Sequence, residues 1–204
     1  MGIGRRAADG SEISLKIVYW GPEQSGKTEN IVQLNRLFNN SGHLVTLVGE
    51  DGSTVYFDFF NPVITLKNGC KAKYLLFAAP GREAFKLSRE LVFQGTDGIV
   101  FVVDSDQNRL EDNRNSLMEL LNLLGEHKKI FGEVPVVIQY NKRDLPTALS
   151  IEKLKEELGL ENYPYVEAEA IKGKGVVETF RLIAKESLKN FIKKAKLGDF
   201  LCSS

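Results

Sequence analysis

Apolar residues along this chain form strand-like runs first, and later buried runs that alternate with helical stripes. Ile13 to Trp20 is a short apolar, β-rich run that stops at Gly21-Pro22. From Gly26 onward Ile31, Leu34 and Phe38 fall at helical spacing, so the order is strand, loop, helix. Leu44–Val48, Val55–Phe59, Val63–Leu66 and Lys73–Phe77 read as further strands. The Asn68-Gly69 pair between the last two favours φ > 0 and predicts a hairpin, hence an antiparallel edge. Gly98–Val103 and Val134–Ile138 are near-continuous apolar runs, as expected of strands covered on both faces, and Pro164–Ala168 is a shorter third. Helical stripes lie between them: Leu110, Leu117, Leu120, Leu121 and Leu124, then Leu154 and Leu158, then Val177, Phe180, Ala184, Leu188 and Phe191. Right-handed crossovers turn this order into a mostly parallel, doubly wound α/β sheet. It has helices on both faces, one antiparallel edge strand, and ligands outside the carboxyl ends of its strands.

Size and charge narrow the class. A chain of 204 residues, 43% apolar and 26% charged, accommodates one domain, here 12–196, with a loose arm at 1–11 and a tail at 197–204. Lys+Arg and Asp+Glu are balanced at 27 each, which gives no reason to expect nucleic acid or an anionic membrane as partner. Cys70 and Cys202 form no ligand spacing, no leader-like apolar stretch is seen, and no run approaches the roughly 20 apolar residues of a spanning helix. Neither a myristoylation nor a prenylation pattern fits the termini, so the expectation is a cytoplasmic protein without a lipid anchor. His43 and His127 stand alone and receive no role. Lys185, Lys189, Lys193, Lys194 and Lys196 make part of the last helix basic, which reads as a solvated face before it reads as a membrane contact.

The chemistry begins at Gly21-Pro22-Glu23-Gln24-Ser25-Gly26-Lys27-Thr28, which fits G-x-x-x-x-G-K-[ST] directly after a strand and at the start of a helix. Glycines let such a loop wrap with its N–H groups pointing inward, and the helix N-terminus adds partial positive charge. Lys27 reaches the β/γ-phosphates, the Thr28 hydroxyl ligates Mg²⁺, and Glu29 follows in the first turn. This loop implies a P-loop nucleotide-binding fold. Asn141-Lys142-Arg143-Asp144 follows the last long buried strand and supplies a base reader. A carboxylate only accepts, so Asp144 suits the N1–H and N2 donors of guanine and repels the N1 acceptor of adenine. The Lys142 stem can lie along the base while Asn141 ties this loop to the phosphate loop. These features also speak against a small-metabolite kinase.

With both motifs in place the chain resembles the Ras superfamily, and within it the bacterial MglA-type polarity and gliding GTPases. The resemblance runs from about Ile13 to Lys193. It is carried by Lys16-Ile17-Val18-Tyr19, Thr54-Val55-Tyr56-Phe57-Asp58-Phe59, Pro80-Gly81, Asp97 to Ser105, Val137 to Pro146, and Glu167-Ala168-Glu169-Ala170 before Gly173-Lys174-Gly175. The resemblance implies GTP and GDP as ligands with Mg²⁺, and an N–H near Ala168, beside Glu169, that meets the guanine carbonyl. It makes Thr54 the threonine that meets Mg²⁺ and the γ-phosphate, and Gly81 the amide that senses that phosphate. Two loops, roughly 42–60 and 79–93, would be released on hydrolysis and would engage protein regulators and effectors, a small roadblock-type regulator among them.

Three departures bear on catalysis. The switch acid of Ras-like proteins is replaced by Ala78, which the MglA-type group shares, and Asp58 is a possible outer-shell substitute. Arg82 stands where a glutamine generally orients the attacking water, and Ser53 where an internal arginine is often found. Lys27, Thr54, Gly81 and Arg82 are therefore the catalytic candidates, and the expectation is a GTP/GDP switch whose hydrolysis is slow or partner-assisted. The alternative is a guanine-nucleotide-binding module without appreciable turnover.

Overall fold

The computed structural model describes residues 5–6, 12–38, 45–48, 54–60, 62–66, 69–81, 85–126 and 133–194, with the backbone alone at 5–6, 45–48, 54–60 and 86. The elements are β1 (Arg5–Arg6), β2 (Glu12–Trp20), α1 (Lys27–Leu37), β3 (Val45–Val48), β4 (Thr54–Phe60), β5 (Val63–Thr65), β6 (Lys71–Ala78) and α2 (Lys86–Phe93). They continue with β7 (Gly98–Asp104), α3 (Leu110–Glu126), β8 (Val136–Asn141), α4 (Ile151–Leu158), β9 (Tyr165–Glu167) and α5 (Val176–Lys194).

The sheet runs β3-β4-β6-β2-β7-β8-β9. Strands β6, β2, β7, β8 and β9 are parallel, while β4 joins β6, and β3 joins β4, antiparallel. Strands β4 and β5 keep one register against β6: Phe60 faces Leu76, the Tyr74 N–H reaches the Pro62 carbonyl, and Val63 faces Lys73. They line β6 as one antiparallel track interrupted at Pro62, which has no N–H to give to a ladder, and β3 lies outside its β4 half. The expected hairpin closes β5 onto β6, with Gly69 at φ 80 and its N–H bonded to the Leu66 carbonyl at 2.9 Å.

Residues of β2 alternate between two cores. Val18 and Trp20 pack with α3 and α4, and Ile17 and Tyr19 pack with α1 and α5. All seven residues of β7 are buried, which explains its continuous apolar run. Each large side chain so covered contributes on the order of 1.5–3 kcal/mol.

Packing corrects the helical stripes. Leu117, Leu120 and Leu124 face inward as expected, but Leu123 takes the place given to Leu121, which is 36% exposed. In α5 the expected Phe180 and Ala184 are buried and Leu188 and Phe191 pack partly buried on the same core, while Val176, Thr179, Ile183, Ser187 and Ile192 complete the seam and Val177 is only half-buried. Ser187 is admitted by close approach to β7, where Gly98 lacks the Cβ that would collide with its Oγ. Two further corrections concern the segments read as loops. Arg5 and Arg6 pair antiparallel with Ser14 and Ile13, so part of the arm is a strand rung. Half of 79–93 is the helix α2, anchored by Phe93, whose ring meets Trp20 edge-on at 6.0 Å.

Candidate nucleotide site

The phosphate loop follows β2 and is shaped by two left-handed glycines, Gly21 at φ 147 and Gly26 at φ 100. A Cβ on Gly21 would strike the Val102 carbonyl, and one on Gly26 would strike the Asn141 amide. Gly26→Ala is therefore expected to destabilise the protein by roughly 1–3 kcal/mol and to weaken nucleotide binding, as read by thermal unfolding beside nucleotide titration. Among the described residues the two non-glycines at positive φ are Gln24 and Lys142, both at φ 62, one in each nucleotide loop. Such conformations cluster at functional sites because the surroundings must hold them.

Gly26 caps α1 with no side-chain hydrogen bond, and the amides of Lys27, Thr28 and Glu29 begin a helix whose own carbonyls cannot reach them. A helix N-terminus of this kind favours an anion. The Lys27 ammonium lies across the loop, donating to the carbonyls of Gly21 at 2.9 Å and Pro22 at 2.5 Å. Ser25 is buried within the loop, Thr28 is half-buried at the start of the helix, and the Glu29 carboxylate accepts from Gln33 at 2.7 Å. The cradle, with its glycines and one buried ammonium, fits a polyphosphate. The Thr28 hydroxyl, in the first turn of the helix that this loop opens, is a hard oxygen donor of the kind Mg²⁺ takes, and would share the ion with phosphate oxygens and water.

The base-reading corner forms where β8 ends. Asn141 donates to the Ser25 carbonyl at 2.8 Å and accepts from the Ala170 N–H at 2.9 Å, stitching the phosphate loop to the loop after β9. Here the structure corrects one expectation. The Ala168 N–H donates to the Tyr140 carbonyl at 2.8 Å as a continuation of the β8–β9 ladder rather than standing open to a base, and the Ala170 N–H is the one that Asn141 takes up. Asp144 meets the Lys172 ammonium at 3.2 Å, and Lys172 also meets Glu169 at 2.8 Å. Lys172, and then Lys174, holds the Glu169 carboxyl below the usual range, and Glu169, then Asp144, raises Lys172. Glu169 therefore braces the loop, and Asp144 keeps lone pairs for a base edge.

Sequence reasoning assigned no role to Asp104, at the end of β7. Its carboxylate is fully buried and holds the Lys142 ammonium at 2.7 Å, which fixes the Lys142 stem. Arg109 sits 3.7 Å from the same carboxylate and donates to the Glu23 carbonyl of the phosphate loop at 2.7 Å. A carboxylate ending an otherwise apolar buried strand must find cations, and that was the available signal.

On the phosphate side, the Gly81 position lies against the phosphate loop: a Cβ there would stand 2.5 Å from the Glu23 Cα. Arg89 of α2, nearly buried, forks onto Glu119 of α3 and donates to the Pro80 carbonyl at 3.4 Å, bracing this turn. Thr54 opens β4. The register sets Asp58 opposite Ala78, the position of the missing acid. Arg82 and Ser53 lie outside the described residues.

A glycine-rich cradle after the first long strand of a doubly wound sheet, with a carboxylate-bearing corner two parallel strands away, defines a P-loop GTPase fold. The chain belongs to the ADP-ribosylation factor family, whose sequence profile matches residues 6–192. It is 39% identical over 179 residues to the mutual gliding-motility protein MglA of Myxococcus xanthus (strain DK1622), covering 85% of this chain and 90% of that protein, and falls in the MglA-type group. It is also 29% identical over 151 residues to ADP-ribosylation factor-like protein 6 of Caenorhabditis elegans, covering 73% of this chain and 71% of that protein. Membership makes the chain a GTP-binding switch GTPase of a family that works with guanine nucleotide and Mg²⁺ and through regulator and effector proteins. No helix among the described residues is long and apolar enough to cross a membrane.

Proposed function

We infer that this protein is a GTP/GDP switch whose own hydrolysis is slow and waits on a partner, and that its output is cell polarity or motility. The observation that supports the switch is the meeting of Gly81 with the Glu23 backbone. It puts the turn after β6 beside the loop that would hold the phosphates, where a γ-phosphate can be sensed. Lys27, Thr28, Thr54 and Gly81 would hold the terminal phosphate and Mg²⁺, and Asn141, Lys142 and Asp144 the base. Asp58, opposite Ala78, would stand in the outer shell of the ion. Slow hydrolysis rests on Arg82 and Ser53. A cation cannot accept a proton from the attacking water, and the missing arginine finger is worth on the order of 10³–10⁵ in rate.

Surface composition supports a protein partner at α2. Leu87 and Leu91, one turn apart, are 76% and 64% exposed, while Arg89 between them is buried. Two large apolar side chains on the outer face of the helix that follows the phosphate-sensing turn offer an anchor to a protein surface. By the family resemblance that partner is a roadblock-type regulator, and the motility output rests on the name of the Myxococcus relative.

Single-turnover hydrolysis of GTP with Mg²⁺ tests the reading. Wild type and Arg82→Ala are expected to share one slow rate, below about 10⁻² s⁻¹, and Arg82→Gln is expected to be faster. A slower Arg82→Ala would make Arg82 a finger. No cleavage by any of them, with or without a regulator, would favour the non-hydrolysing module.

A further inference from the structure

Beneath the corner made by Asn141 lies a second tier of hydrogen bonds that belongs to neither nucleotide motif. Gln139, two residues earlier on β8 and so on the same face of the strand, is fully buried, as are Asn30 of α1 and Thr179 of α5. Gln139 Nε2 donates to Asn30 Oδ1 at 2.8 Å and to Thr179 Oγ1 at 2.8 Å, and Asn30 Nδ2 donates back to Gln139 Oε1 at 2.7 Å. The outer ends are symmetric. Asn30 Nδ2 also donates to the Gly26 carbonyl at 2.9 Å, and the Thr179 hydroxyl donates to the Gly175 carbonyl at 2.6 Å. Each of these glycines stands four residues before the side chain that grips it, at the start of its helix.

Every N–H and O–H of the three side chains has an acceptor, in a core where a bond left unmade carries a desolvation cost. Apolar residues could fill the same space with no such risk, so a complete network is more readily explained by what it positions than by what it stabilises. It positions two helix starts. Gly26 ends the phosphate loop, and Gly175 closes the loop that carries Ala170, where a Cβ would strike the Glu167 carbonyl. Asn141 ties those loops at their tips, through the Ser25 carbonyl and the Ala170 N–H.

We propose that Asn30, Gln139 and Thr179 are positioning residues that lock the phosphate loop to the base loop from below, and thereby set how long either guanine nucleotide stays bound. The network acts on both loops at once, so it governs GDP and GTP alike and is separate from the γ-phosphate contacts of the switch. The proposal rests on the guanine-nucleotide reading above.

The test compares Thr179→Val, which keeps the shape and loses the hydroxyl, with Thr179→Ser, which keeps the hydroxyl and loses a methyl, in the full chain. Dissociation of GDP and of GTP and amide exchange of the segments 21–28 and 168–176 are both measured. Thr179→Val is expected to release both nucleotides about fivefold faster or more and to speed exchange in both loops, with thermal unfolding within a few degrees of wild type. Thr179→Ser is expected to match wild type. Gln139→Met, which cuts the network at its centre, is expected to exceed Thr179→Val. Wild-type rates in Thr179→Val, or equal acceleration in Thr179→Ser, overturn the proposal in favour of simple packing. If the wild-type protein binds no guanine nucleotide, the functional reading fails. Amide exchange then decides the loop coupling by itself: faster in both segments for Thr179→Val only, or the lock is not there.

Discussion

Lys27→Ala is expected to leave a folded protein that holds GDP and GTP several hundred-fold less tightly than wild type. Lys27 is 6% exposed and its ammonium lies across the phosphate loop between the Gly21 and Pro22 carbonyls, so its charge is already placed where phosphate oxygens would collect. A hydrogen bond to a charged group is worth about 1.5–3 kcal/mol, and the ammonium can serve two phosphates, so about 3–5 kcal/mol of binding goes with it. The fold should tolerate the change, because the two carbonyls can turn to water that enters the vacated space, at a cost of about 1–2 kcal/mol. Circular dichroism and equilibrium titration with GDP check both halves. A variant that binds as wild type would mean that the loop does not carry phosphate.

The second large effect is a change of base. Asp144→Asn is expected to weaken GDP by about 100-fold to 1,000-fold while the diphosphate of xanthosine gains affinity. Asp144 lies at the end of the corner that Asn141 stitches to the phosphate loop, with Lys172 beside one of its oxygens at 3.2 Å. A carboxylate accepts from both N1–H and the N2 amino group of guanine, whereas an amide turns one of those acceptors into a donor and sets donor against donor. Xanthine carries a carbonyl at that carbon, so the same amide meets it with complementary chemistry. Competition between the two diphosphates for wild type and Asp144→Asn reads this directly, and an unchanged preference would remove Asp144 from base reading.

The parts of the site that were legible in the sequence are those written on consecutive residues. The phosphate loop and Asn141 to Asp144 each lie within one strand-to-helix turn, so spacing alone brings their groups together, and the fold places them at the carboxyl ends of strands β2 and β8, with β7 between. Illegible parts depend on the distance folding closes. Gln139 sits 109 residues from Asn30 and 40 from Thr179, and nothing local marks a buried glutamine as a partner of either. Arg109 is likewise 86 residues from the Glu23 carbonyl it grips. That the Ala168 N–H belongs to the β8–β9 ladder was hidden because the pattern could not show where that ladder stops. The helix α2 was hidden because its apolar Leu87 and Leu91 face outward, and it starts at Phe85 without a side-chain cap. The burial of Ser187 in α5 was hidden because it depends on Gly98, a residue on another element.

Titration of nucleotide-free protein with GDP, GTP and ATP in the presence of Mg²⁺ decides whether this corner and cradle hold a guanine nucleotide. GDP and GTP are expected to bind with dissociation constants in the micromolar range or tighter, and ATP at least about 100-fold more weakly, because Asp144 rejects adenine. Equal affinity for ATP would contradict the assignment of the base corner, and weak binding of all three would contradict the site itself.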